Sequence, residues 1–294
     1  MLSRRAFLSL AAAVPAAARV PNAAAAAIAP PAVASIRTRT TGKPQIVFKS
    51  PGPQPNGLQA TRDGLWIIDQ ADGSLATLVD YADGKVLRSF KTDTVRPSGI
   101  TFDGEAIWIG STFSYENVRC DARTGAVLER HPTPGSTTYS MTGDPTPQRS
   151  PLAGTPMQQV RPAAAGQGQP QLLRLAQTPS TRFQGAHGQE WRDGKLWTTS
   201  TSSRSIFCIE PKAWVVEKRL QAPGPRPHGL AWEGRYLWHG DSDYKAFFKF
   251  DIDTGEIVEK IQLAPDDPLP HGLTIWEGTL WYCDDIGVVC NMKI

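Results

Sequence analysis

The sequence predicts an all-β fold, a β-propeller of five four-stranded blades closed by an N-terminal strand. Three observations predict it. Five glycines are each followed nine residues later by a tryptophan: Gly57 and Trp66, Gly99 and Trp108, Gly188 and Trp197, Gly229 and Trp238, Gly272 and Trp281. Between each pair lies an acid-glycine turn signal, such as Asp63-Gly64 or Glu277-Gly278. The last module ends after three strands, while an orphan apolar strand, Gln45–Lys49, precedes the first. Repeats near forty residues that each supply antiparallel strands are propeller blades. Pairing the orphan strand with the last module removes the open sheet edges.

Within a module the elements follow in order. The turn dipeptide separates the first two strands, and the Leu-Trp or Ile-Trp after it opens a β-rich second strand. A third strand ends on an acid, Asp80, Asp121, Glu210 or Asp251, read here as a structural turn residue. Turns such as Arg123-Thr-Gly125 and Asp253-Thr-Gly255 lead into the fourth strand. The module tryptophans are read as blade-packing core. Module glycines are spaced 42, 89, 41 and 43 residues apart, so one interval is double. The extra stretch, about residues 136–184, is rich in Pro, Gly, Gln and Ala, with a short helix at Gln171–Gln177. It reads as a long loop over one face, with a degenerate sixth blade as the alternative. Its arginines are read as solubilising a loop, with attraction of an anion as the other reading.

The N-terminus carries Ser3-Arg4-Arg5-Ala6-Phe7-Leu8 and then an Ala-rich apolar run. This is the pattern of a secretory signal of the twin-arginine type, too short for a membrane span. The expected organisation is a signal over 1–27, a flexible leader over 28–43, and one propeller over 44–294. Cleavage falls after Ala18 or within residues 23–27. A periplasmic or secreted, monomeric protein with no membrane insertion is expected. The net charge of +3 and the mixed signs give no ground for a nucleic-acid partner, and none is expected; the expected partner is a small polar ligand. Cys283 and Cys290 flank a turn and are candidates for a cross-strand disulfide, whereas Cys120 and Cys208 are read as buried thiols.

The residue before the module glycine begins the innermost strand, and around the ring it reads Asn56, Ser98, His187, His228, His271. Three histidines from consecutive blades are therefore expected at one mouth of the channel. With the turn centred on the acid-glycine pair, His228 faces Asp241, His271 faces Asp284 and Asn56 faces Asp69. Carboxylate-backed imidazoles suit acid–base work, and three neutral imidazoles suit a divalent metal. The catalytic expectation is thus His187, His228, His271, Asp241 and Asp284, with the three histidines as metal ligands. Asn56, Asp69, Glu190 and His239 are expected to contact a small polar ligand. No phosphate loop, nucleophile elbow, Cys-x-x-Cys or dinucleotide fingerprint occurs.

The repeated Pro-His-Gly-Leu, Leu-Trp-x-x-Asp and Asp-x-x-Thr-Gly, from about Pro55 to Ile294 apart from the insertion, resemble exported propellers of the virginiamycin B (streptogramin) lyase and gluconolactonase-like group. They are also similar to the propeller-type glutaminyl cyclases. The lyase likeness implies His and Glu side chains with a divalent metal at the channel mouth. His228 and His271 match that set, and no Glu signature accompanies them. A lyase or hydrolase is the expected class, with a non-catalytic binding or scaffold propeller as the alternative.

Overall fold

The structure is a computed structural model that describes residues 33–71, 74–134, 185–284 and 286–294. The signal segment, the 136–184 insertion and the helix read at Gln171–Gln177 lie outside the described residues.

Among the described residues, twenty strands form five four-stranded antiparallel sheets. Blade 1 is β2 (Pro55–Thr61), β3 (Gly64–Asp69), β4 (Leu75–Val79) and β5 (Val86–Lys91). Blade 2 is β6 (Pro97–Phe102), β7 (Ala106–Ser111), β8 (Glu116–Asp121) and β9 (Val127–Pro132). Blade 3 is β10 (Ala186–Arg192), β11 (Lys195–Ser200), β12 (Ser205–Glu210) and β13 (Val215–Gln221). Blade 4 is β14 (Pro227–Glu233), β15 (Tyr236–Asp241), β16 (Ala246–Asp251) and β17 (Ile257–Gln262). Blade 5 is β18 (Leu273–Trp276), β19 (Thr279–Cys283) and β20 (Val288–Lys293), completed by β1 (Gln45–Lys49). As expected, β1 pairs antiparallel with β20, with Gln45 opposite Asn291 and Lys49 opposite Val288. The inner strands touch in the cycle β2, β6, β10, β14, β18 and back to β2, leaving no gap for a sixth blade.

The turn chemistry works as the sequence implies. Asp193-Gly194 and Glu277-Gly278 have φ of 51° and 73°, and of 48° and 70°. Two successive positive φ values are those of the tight hairpin turn that glycine favours. The acids that end the third strands accept backbone N–H groups: Asp121 from Arg123 and Thr124, Glu210 from Ala213, Asp251 from Asp253. Their turn-capping role is thereby met.

Each module tryptophan fills the seam to the following blade. Trp66 packs with Ile100 and Ile107, Trp108 with Leu196 and Phe207, and Trp197 with Leu230 and Phe248. Trp238 packs with Leu273 and Tyr282, and Trp281 closes the ring against Leu58 and Ile67. All five are nearly excluded from water. Burying about 200 Å² of indole contributes roughly 5 kcal/mol per seam before side-chain ordering is charged against it.

The module glycines explain themselves at the axis. A Cβ on Gly99 would lie 1.7 Å from the His187 carbonyl oxygen, and one on Gly188 would lie 1.9 Å from that of His228. At Gly229 it would meet Leu273 N at 2.4 Å, and at Gly272 the Gly57 Cα at 2.7 Å. Inner strands therefore abut backbone to backbone, and Gly229 N donates to His271 O across blades at 2.8 Å. Only glycine permits this approach.

Two expectations change. Cys283 pairs with Val289 and Cys290 with Tyr282, and the two thiols enter different seams, Cys283 toward blade 1 and Cys290 toward blade 4. Side chains on opposite faces of a sheet cannot be bridged, and all four cysteines are free and buried. The stretch read as a flexible leader is, from Val33 onward, packed on blade 4. Thr38 bridges Lys260 in parallel, Arg39 N donates to Lys260 O at 2.7 Å, and Ile36 is buried in the seam of blades 3 and 4. Arg39 also pairs with Glu233 at 3.1 Å and Glu259 at 2.7 Å, and Arg37 pairs with Glu259.

Candidate functional site

The residue before each module glycine is the one the ladder cannot pair. In blades 1 to 4 the register slips there: Pro55 faces Asp69 but Gly57 faces Ile68, and Pro227 faces Asp241 while the next pair is Leu230 with His239. Blades 2 and 3 slip at the same point. A bulge leaves the extra residue outside the ladder and re-aims its side chain. Asn56, Ser98, His187, His228 and His271 occupy this position, all nearly buried. The three imidazoles touch in series, with ring centroids 5.1 Å apart for His187 and His228 and 4.5 Å for His228 and His271. The sequence reading of three neighbouring histidines is therefore met by the geometry.

In blades 1 and 4 the same slip displaces the expected carboxylate partners. Asp241 faces Pro227 rather than His228, while in blade 5 His271 N donates to Cys283 O. Asp69 lies opposite Pro55, not Asn56. These carboxylates clamp loops instead. Asp69 accepts from Gln54 N and Ala71 N, both at 2.8 Å. Asp241 accepts from Arg226 N at 3.2 Å and from Asp243 N and Tyr244 N at 3.1 Å, and burial pushes its carboxyl up to about 6. Asp284 accepts from Ile286 N and Val288 N. Glycines make room for two of them, since a Cβ on Gly52 or Gly224 would lie 2.1 Å from an oxygen of Asp69 or Asp241.

Backbone carbonyls meet Nδ1 in two of the three histidines. His187 Nδ1 lies 3.1 Å from Gly185 O, and His228 Nδ1 lies 2.9 Å from Arg226 O and 3.0 Å from Ser242 Oγ. Ser242 Oγ spends its own proton on Pro270 O at 2.5 Å. A carbonyl only accepts, so Nδ1 carries the proton in both rings and the lone pair sits on Nε2. Burial, reinforced by the charges of His271 and Arg226, lowers His187 to about 4, and burial with the same neighbours holds His228 well below the usual range. Both are neutral bases at neutral pH.

Among the described residues no group of three or more His, Cys, Asp or Glu side chains is arranged to hold a metal ion. The rings meet edge to face, at 82° and 65°, and two of the three turn Nδ1 into backbone or hydroxyl contacts.

Glu190 and His239, expected at the mouth, lie in the seam of blades 3 and 4. Glu190 stands opposite Trp197 on β10–β11, and His239 stands opposite Leu230 and Phe248. Trp197, Leu230 and Phe248 share one core. Glu190 accepts only from Trp191 N at 3.2 Å among the described bonds, and burial pushes it up to about 8. His239 is fully buried, its two nitrogens meet no partner, and burial lowers it to about 3.

Two residues absent from the sequence reading complete the mouth. Arg96 and Arg226 each stand three residues before a module glycine, where the other blades carry Gln54, Gly185 and Leu269. The offset from the glycine was the available signal. A separate cavity of about 70 Å³ at blade 1 is lined by Ser50, Gly52, Asp69, Thr77 and Ser89 and does not reach the histidines.

No protein-family model and no curated protein matches the chain. Solved structures do. A glutaminyl cyclase from Myxococcus xanthus superposes with a TM-score of 0.58 at 9% identity, over 85% of this chain and 95% of that one. The likeness is one of fold. A catalytically inactive virginiamycin B lyase from Staphylococcus aureus with quinupristin gives a TM-score of 0.47 at 15% identity, over 83% and 68% of the two chains. BamB from Moraxella catarrhalis gives 0.39 at 14% identity, over 81% and 71%. A shared fold at this identity does not fix a reaction, so the chemistry must be argued from this chain's own side chains.

Proposed function

We propose that this propeller is an enzyme that binds a small polar molecule over the histidine ring and removes a proton from it, as a lyase or a base-assisted hydrolase. The observation that carries the reading is the state of His228. Both its hydrogen bonds run through Nδ1, which fixes the tautomer and leaves the Nε2 lone pair as a base. Burial and the neighbouring charges keep that ring unprotonated. His187, held the same way by Gly185 O, supplies a second base beside it. Asn56 and Ser98 complete the ring with polar groups that orient rather than react. The role first expected of Asp241 and Asp284 becomes one of positioning, since they hold the loops that present Arg226 and the turn after β19.

A base pair without an activated nucleophile favours elimination, or hydrolysis through an activated water, over covalent catalysis. The Nδ1 bonds to backbone carbonyls leave Nε2 as the nitrogen that either a proton or a divalent ion would meet, and proton removal by these rings needs no metal. The twin-arginine-type leader supports action outside the cytoplasm, and among the described residues no helix is long and apolar enough to cross a membrane. A binding propeller without catalysis is the second reading, favoured by the low exposure of the rings, 2% at His187 and 5% at His228.

The test is a panel of elimination and hydrolysis substrates run on the full chain and on His187→Gln and His228→Gln. The reading expects an activity lost in both variants with melting unchanged. Activity that survives both substitutions, or its absence across the panel alongside tight ligand binding, contradicts it.

A further inference from the structure

We infer that Trp214 is a clasp that holds blade 3 against blade 2, across the seam where the chain itself ties neighbouring blades least. Three observations on different residues support it, and none depends on where a ligand binds.

The first is the connection. Short links join the other neighbouring blades: residues 50–54 from blade 5 to blade 1, 92–96 from blade 1 to blade 2, 222–226 from blade 3 to blade 4, and 263–272 from blade 4 to blade 5. Between blade 2 and blade 3 the link is residues 133–185. Bringing two ends together costs more as the chain between them lengthens, and the local concentration of one end around the other falls. Contacts across this seam must therefore do more of the holding.

The second is the turn. Between their third and fourth strands, blades 1, 2 and 4 place Gly84, Gly125 and Gly255 at φ of 73°, 76° and 77°. Each glycine N–H donates to the backbone carbonyl of the acid that ends the third strand: Asp80, Asp121 or Asp251. The matching residue of blade 3, at the same distance after Glu210, is Trp214, with φ of 53°. A bulky side chain holds a left-handed backbone at a cost that glycine avoids. Such a conformation persists where other contacts over-determine it.

The third is what the indole meets. In blades 1 and 2 the preceding blade's outer strand lays a ring over the turn glycine, Phe48 over Gly84 and Phe90 over Gly125. A Cβ on either glycine would lie 2.4 or 2.5 Å from that ring. At blade 3 both sides of the seam supply a ring. Trp214 stacks on His131 of β9 with centroids 4.1 Å apart and planes at 14°, and on Trp108 at 5.9 Å and 20°. Trp214 Nε1 also donates to Pro132 O at 2.9 Å, at the residue where β9 ends and the long link begins. Glu129 steadies the far edge of His131, with Oε2 3.1 Å from Nε2. Stacked rings and a directional bond add attraction beyond the area they bury.

Urea unfolding of the full chain tests the clasp. If Trp214 only filled a turn, Trp214→Gly would relieve the backbone and raise the midpoint. The clasp predicts instead a fall of about 0.5–1 M. His131→Ala is expected to lower the midpoint of the unaltered protein, and to have at most about half that effect beside Trp214→Gly, because its partner is already gone. Amide hydrogen exchange in β9 and β13 is expected to quicken about tenfold or more in Trp214→Gly, with β17 and β20 changing less. Should Trp214→Gly fail to fold, Trp214→Leu, which keeps apolar bulk without a ring, is put through the same cycle and exchange with the same outcomes expected. A midpoint at or above that of the unaltered protein, shifts that add in the double variant, or exchange that quickens evenly over all five blades overturns the clasp.

Discussion

Replacing Gly188 by alanine should damage this protein far more than an ordinary glycine substitution, and the structure sets the scale. The new methyl would sit 1.9 Å from the His228 carbonyl oxygen and 2.7 Å from its carbon, both backbone atoms of the next blade. Carbon and oxygen normally approach no closer than about 3.2 Å, so two inner strands must part by more than about 1 Å in a tightly packed axis. Such overpacking costs about 3 kcal/mol or more. Two controls separate this collision from generic glycine effects. Gly194 has φ of +73° with open space around it, so Gly194→Ala should cost only the left-handed strain, about 1–2 kcal/mol. Gly42 has no neighbour within 4 Å and no positive φ, so Gly42→Ala should be close to neutral. Urea unfolding of the three variants, read as midpoint shifts at constant slope, checks the order. A Gly188→Ala protein within about 1 kcal/mol of Gly194→Ala would refute the backbone-to-backbone axis.

Other consequences follow from the seams and the edge. Glu190 is raised to about 8 by burial, so the folded protein holds a proton that the unfolded chain releases. Stability from this group is therefore complete below about pH 4.5 and falls by up to roughly 1.4 kcal/mol per pH unit until about pH 8; Glu190→Gln should flatten that slope in pH-dependent denaturation. Ile36→Ala, at the docked leader, should cost about 2 kcal/mol in the same assay, and a loss near zero would mean that the segment does not stay on blade 4. Alkylation of the protein unfolded without reductant should add four labels, one per cysteine, because Cys283 and Cys290 face different seams; two labels would reveal a disulfide.

The repeat made the architecture readable because a propeller repeats one physical problem five times. Each blade needs a glycine at the axis and a tryptophan in the seam, and both requirements are local enough to show as a fixed offset. The histidine ring was readable for the same reason, as the departures at one repeated position. Its partners were not. Pairing His228 with Asp241 assumed an unbroken ladder, whereas the crowding of glycine backbones at the axis is met by a bulge at that very residue. A bulge shifts register by one and so sets Pro227, not His228, opposite Asp241. Glu190 was placed at the mouth from its closeness to His187 in sequence, whereas it lies opposite Trp197 and shares its face toward blade 4. The cysteine pair fails on parity alone. The docking of Ile36 to Arg39 left no strong mark, because its partners Glu233, Glu259 and Lys260 lie some 200 residues away in sequence, as in the Arg39–Glu259 contact with a separation of 220.

The claim most exposed to test is that His187 and His228 are neutral and carry their proton on Nδ1, leaving Nε2 as base. Nitrogen-15 NMR of the imidazole rings reads this directly at neutral pH, with His187→Gln and His228→Gln used for assignment. The account predicts protonated Nδ1 and unprotonated Nε2 in both rings, with His187 gaining its second proton only near pH 4. Imidazolium signals at pH 7, or rings protonated on Nε2 alone, would contradict it.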